Sequence, residues 1–109
     1  MIPIHIRPNG DKEKGKWGYA VSYDQHDYKR TVFEYEVRAR DIDNHFTLEH
    51  RSSEQGTFET FGVSDTPEKA DRRILRQVRA RASKVLERLT EEYAVRVVDP
   101  TQPVGKKKK

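Results

Sequence analysis

Between Arg72 and Leu86 the chain carries Arg72, Arg73, Arg76, Arg79, Arg81 and Lys84, and no acid. A guanidinium is a planar fork of donors that fits a phosphate, and cations that displace counterions from a polyanion bind it without reading its sequence. On a helix, Arg72, Arg76 and Arg79 share one ridge, with Arg73 and Lys84 beside it. A solvated helix face ordinarily mixes signs. A Glu four residues before a Lys gains a few tenths of a kcal/mol, and like charges lose about as much. Forgoing such pairs over about four turns implies an anionic partner, or acids elsewhere in the fold. A second run, Lys106–Lys109, would add sequence-independent attraction or serve only solubility.

Other chemistry is thinner. His5, His26, His45 and His50 invite a metal or catalytic reading. His45 and His50 are five apart on an expected strand, so they point to opposite faces and match no helical ligand pair. Asp24, His26 and Asp27 would converge in a loop, as would Asp41, Asp43 and His45. A nuclease needs such carboxylates around Mg²⁺, but Asp favours turns for its own reasons. No nucleophile elbow, phosphate loop or zinc spacing is present. The expectation is a non-enzyme with no metal and no cofactor. Trp17, Tyr19, Tyr23, Phe33 and Tyr35 would stack unpaired bases on an open sheet, yet a core needs the same side chains. Tyr28, in a polar loop beside Lys29 and Arg30, is the better exposed stacking candidate.

The ridge has to be positioned by a helix from Thr66 to about Tyr93. Thr66 can cap the first turn, Pro67 needs no amide hydrogen there, and Glu68 and Asp71 suit the positive end of the dipole. Apolar residues recur at Ile74/Leu75, Val78, Ala82, Val85/Leu86, Leu89 and Tyr93, one stripe at about 100° per residue. Upstream the period is two. Ile2, Ile4 and Ile6 alternate with Pro3, His5 and Arg7, a short strand expected at an edge because of Pro3. Trp17–Tyr23, Phe33–Ala39 and Phe46–His50 alternate in the same way. Thr57–Val63 slips phase between Phe58 and Phe61, as at a bulge. Ala94–Val98 would be a sixth short strand or an extended tail.

Short turns between successive strands make them antiparallel, and one apolar face needs a cover. The expected fold is α+β, an antiparallel meander of four to five strands with one long C-terminal helix packed across one face. Its core would be Trp17, Tyr19, Val21, Phe33, Tyr35, Val37, Phe46, Leu48, Ile74, Val78, Val85 and Leu89. The uncovered face would carry Glu34, Glu36 and Glu49 with Arg38 and Arg40, solvated and no place for phosphates. Residues 1–99 would form a single domain and residues 100–109 a disordered basic tail.

The 109 residues hold 22 bases and 18 acids, net +4. Setting aside the six bases of the 72–86 window and the four of the tail leaves 12 bases against 18 acids, so positive charge is concentrated in two places. Such asymmetry points to a nucleic-acid type of partner. There is no cysteine, hence no disulfide or thiolate chemistry, in keeping with a cytoplasmic protein. No long apolar run or signal-like start is seen, so no membrane partner is expected. Successive strands followed by Pro67-Glu68-Lys69-Ala70 and a basic helix resemble the second half of double-stranded-RNA-binding domains. The family's first helix is missing and its lysine cluster is reduced to Lys69, so no family is assigned.

These observations lead to a small non-enzymatic nucleic-acid-binding or nucleoprotein-associated accessory protein. Arg72, Arg73, Arg76, Arg79, Lys84 and Lys106, Lys107, Lys108 and Lys109 would contact the phosphate backbone of DNA or RNA. The rival is an inhibitor or adaptor module docking on an acidic protein surface, and a homodimer through a sheet edge is a third arrangement.

Overall fold

The structure, a computed structural model, describes residues 1–25 and 30–102. It is α+β. Strands β1 (Ile2–Asp11), β2 (Lys16–Gln25), β3 (Arg30–Ile42), β4 (His45–Ser52) and β5 (Glu59–Ser64) precede one helix, α1 (Pro67–Thr90), and a last strand, β6 (Val95–Val98). The sheet order is β5-β4-β3-β2-β1-β6. The first five strands form the expected antiparallel meander. Among the described residues the strand count is six rather than four to five, because β6 adds itself in parallel along β1.

That addition moves β1 from the expected edge to the interior of the sheet, and its prolines show how. Ile2 donates its amide to Ala94 O, so even-numbered residues of β1 turn their backbone groups toward β6 and odd-numbered ones toward β2. Pro3 faces β2 before pairing begins at Ile4, and Pro8 faces β6 after pairing ends at His5. Each missing N–H falls where no strand asks for it.

The helix starts as its sequence dictates. Thr66 is extended, its hydroxyl accepts the Lys69 amide at 3.1 Å, and Pro67 opens the first turn. Its 24 residues, about 36 Å at 1.5 Å each, carry the chain from the β5 edge across the sheet to the β6 edge. Ala70, Ile74, Val78, Ala82 and Val85 form the buried stripe. They pack on Ile4, Ile6, Trp17, Val21, Tyr35, Val37, Ala39 and Leu48, with Tyr19, Phe46 and Leu89 at the margin. Each Val, Leu or Ile buried this way stabilises the fold by about 1.5–3 kcal/mol relative to exposure.

Phe33 is the exception to the expected core. The β2–β3 register shifts between Val21 and Ser22, so Tyr35 pairs with Val21 but Phe33 pairs with Ser22. The shift turns Phe33 to the uncovered face, 36% exposed. It also releases Glu34 from that face to meet Arg88 of α1 at 2.9 Å. The second shift, between Leu48 and Glu49 on β4, is the bulge expected between Phe58 and Phe61.

Candidate nucleic-acid interface

Helix geometry places Arg72 and Arg76 on the outward face of α1, with Lys84 two to three turns further on, all three exposed. Among the described residues they have no hydrogen-bond or ion-pair partner. Leu75, Ala80 and Ser83 lie between the cations and line a shallow groove of about 480 Å³ with Arg72, Arg76 and Arg79. The small side chains at 80 and 83 make the groove, and the cations give it its sign.

The other two predicted helix residues are engaged inside the fold. Arg73 donates to Val63 O at 2.8 Å and to Ser64 Oγ at 3.3 Å, clasping β5. Its guanidinium lies over Gly62, where an added Cβ would stand 2.3 Å from Nη2. Arg79 pairs with Asp99 at 2.9 Å and donates to the Thr101 hydroxyl at 2.7 Å, pinning the segment after β6. Burial pushes the Asp99 carboxyl up, but the Thr101 hydroxyl and amide and the Arg79 guanidinium outweigh it and hold the group below the usual carboxylate range. Arg81 lies 4.3 Å over the Tyr35 ring at the helix–sheet seam. Burial pushes the Tyr35 phenol up, against the lowering effect of Gln77 and Arg81. The structure thus brings Arg72, Arg76 and Arg79 to one groove, Arg79 with its guanidinium already engaged, while Lys84 lies free on the flank of the helix beside Gln77 and Arg81, and Arg73 is turned to β5. Lys106, Lys107, Lys108 and Lys109 lie outside the described residues, as do His26, Asp27 and Tyr28.

The N-terminal half of α1 is held on the sheet by Asp71, which accepts from Trp17 Nε1 and from the Tyr19 hydroxyl, each at 2.9 Å. Burial, then that hydrogen bond, pushes the Tyr19 phenol far above its ordinary value, so it stays a donor. On the covered side of the sheet His50 Nδ1 lies 2.8 Å from the Tyr35 hydroxyl. His45 Nδ1 lies 3.1 Å from Asp43 O, at a turn where Asp43 and Asn44 both take positive φ. Among the described residues no three of His, Asp and Glu converge as metal ligands, and no helix is long and apolar enough to cross a membrane.

Compared with protein-family models, curated proteins and solved structures, the chain matches none.

The uncovered sheet face corrects one expectation. It carries Glu36 and Glu49 with Arg38 and Arg40, but not Glu34. Glu34 has left it for Arg88, and strand alternation brings Arg7, Lys16, Arg51 and Arg96 onto it with Arg38 and Arg40. Glu49, 7% exposed, is bonded by Arg38 at 2.8 Å and by Arg40 at 2.9 Å. Burial raises the Glu49 carboxyl, but its bonds from Arg40 and Arg38 outweigh this and hold it below the usual range. Glu36 accepts from Arg51 at 3.1 Å and from Asn9 at 2.7 Å. Among the described residues Arg7, Lys16 and Arg96 are unpaired. Period-two alternation, carried through the register shift, would have found them.

Proposed function

We propose that this chain is a small non-enzymatic nucleic-acid-binding accessory protein whose outward helix face contacts phosphates. The observation that carries the reading is the pair Arg72 and Arg76, exposed and unpartnered among the described residues on a helix face that bears a groove, with Lys84 equally free on the flank of the same helix. Arg72 and Arg76 stand about one turn, roughly 6 Å, apart along the axis, and Lys84 lies about 12 Å further on and round the flank, so the charges follow a path that winds with the helix. Unpaired guanidinium groups need no prior bond broken before they meet phosphate oxygens. Arg73 and Arg79 act as supports of the fold in this reading, and the lysine tail as an auxiliary tether.

The test is fluorescence anisotropy with labelled DNA and RNA at low salt. The logarithm of affinity should fall with log salt at a slope of about −2 to −3, the signature of about three neutralised phosphates. Charge reversal at Arg72, Arg76 and Lys84 should abolish binding of double-stranded DNA and RNA with an unchanged far-UV spectrum. Arg79 stays untouched because it holds Asp99. Absence of binding to either polymer near 20 mM salt would sink the reading.

The competing reading is docking on an acidic protein surface. Leu75, half-buried in the groove between Arg72, Arg76 and Arg79, favours it, because an apolar contact among cations suits a peptide better than a phosphate backbone. Capture from a nuclease-treated lysate separates the two, since only a protein partner survives digestion.

A further inference from the structure

The uncovered face of the sheet is organised into two halves. Across β3, β4 and the segment entering β5, two rings and two guanidinium groups alternate within cation–π distance. The Arg51 guanidinium lies 5.8 Å from the Phe33 ring centroid and 4.7 Å from that of Phe58, and the Arg38 guanidinium covers Phe58 at 3.6 Å. Glu36 and Glu49 hold these two guanidinium groups in place from the side. On β2, β1 and β6 the aromatic groups stop. Gly18, Ala20 and Ser22 leave a low floor, with a groove of about 180 Å³ over Gly18 lined by Asn9, Lys16, Glu36 and Arg38; Lys16 there, and Arg7 and Arg96 further along β1 and β6, are unpaired among the described residues.

The two halves are in register. Arg7, Ala20, Glu36 and Arg51 form one row across the sheet, and His5, Ser22 and Phe33 form the next. At about 4.8 Å per strand, Arg7 stands about 10 Å from β3. A nucleotide whose base lies over Phe33 and Arg51 would therefore set its phosphate toward Arg7. Aromatic rings and guanidinium planes are the surfaces on which unpaired bases stack, and flanking cations follow the backbone. Glu36, between them, is paired with Arg51 and accepts from Asn9, so its charge toward a phosphate is largely offset.

We propose that this face binds single-stranded nucleic acid, with unpaired bases stacked on Phe33 and Arg51 and phosphates on Arg7 and Lys16. A second copy of the chain is a poor occupant. The sheet face carries free Arg7 and Lys16 and the helix face free Arg72 and Arg76, so face-to-face and back-to-face stacking both oppose like charges. A duplex is a poor occupant too, because its bases are already stacked and paired. The inference shares its class of partner with the helix reading but rests on other residues, and variants on each face separate the two.

The test uses the full-length chain and anisotropy with labelled oligo-dT, oligo-U and a duplex of equal length, alongside sedimentation velocity of the free protein. The single strands should bind more tightly than the duplex. Phe33→Ala should weaken them about tenfold, the loss of about one stacked base, while Phe33→Trp retains binding and gains an emission that the oligonucleotide quenches. Arg7→Glu with Lys16→Glu should weaken single-strand binding further, and Arg72→Glu with Arg76→Glu should spare it. If Phe33→Ala binds single strands like the wild type, or the duplex binds as well as they do, the inference falls. Loss on the helix variant alone leaves the helix reading standing and overturns this one; loss on Phe33→Ala alone does the reverse. No binding, or a protein that sediments as a dimer through this face, overturns it as well. Phe33 is partly exposed, so its replacement should leave the melting temperature in place, and equal melting curves guard against misfolding.

Discussion

Asp71 is the residue on which the seating of the helix depends most directly. Its carboxylate oxygen takes two donors from β2, and both become unsatisfied if it is removed. Asp71→Leu should therefore cost about 2–4 kcal/mol, two partly buried bonds at about 1–2 each, measured by urea unfolding. The emission of Trp17 should shift with it. The Arg79–Asp99 clasp makes a prediction in pH. Asp99 is depressed in the folded chain, so its contribution is fully present above the ordinary Asp value of about 3.9 and is lost as pH falls through the lower folded value. Asp99→Asn should cost about 1 kcal/mol at neutral pH, since Arg79 is partly solvated. The gap between variant and wild type should close on acidification, in thermal melts from pH 7 to pH 2. Gly62→Ala is a steric counterpart. Its methyl displaces the Arg73 guanidinium, a flexible end that can move, so the cost should stay near 1 kcal/mol.

At the scale of the element, α1 was legible because every local signal agrees: cap, proline, apolar stripe and a charged reverse side. Thr66→Ala should cost about 1 kcal/mol by removing the acceptor for the Lys69 amide, measured by thermal melting. The meander was equally legible from period two. What the pattern could not carry was the exchange of neighbours between distant segments. β6 is four residues long and finds its place only against β1, more than ninety positions away. Phe33 alternates faultlessly with Tyr35 and Val37, yet a bulge in its own strand, where Glu34 has no partner on β2, turns it outward. Phe33→Ser should thus change stability by less than about 0.5 kcal/mol, whereas Val37→Ala, fully buried, should cost about 1–2 kcal/mol. Equal losses in urea titrations would contradict the register. The candidate site was half legible. Six like charges in one window were plain, but Arg73 and Arg79 find partners at Val63 and Asp99 that sequence distance conceals.

For the whole molecule, the shape is a slab of 45 × 43 × 20 Å with a helix on one broad side and bare sheet on the other. Unpaired cations stand on both sides among the described residues, so the sum of +4 understates what a polyanion would meet. Affinity for either form of nucleic acid should fall steeply between 50 and 200 mM salt, read as a linear log–log plot.

The parallel pairing of β1 with β6 also constrains how the chain can assemble. β1 is completed by a segment some ninety positions later in the chain, and closing that ring costs the entropy of a loop of roughly ninety residues. Until then β1 presents a bare flank, so a nascent or truncated chain lacking β6 is the form most open to pairing with a foreign strand.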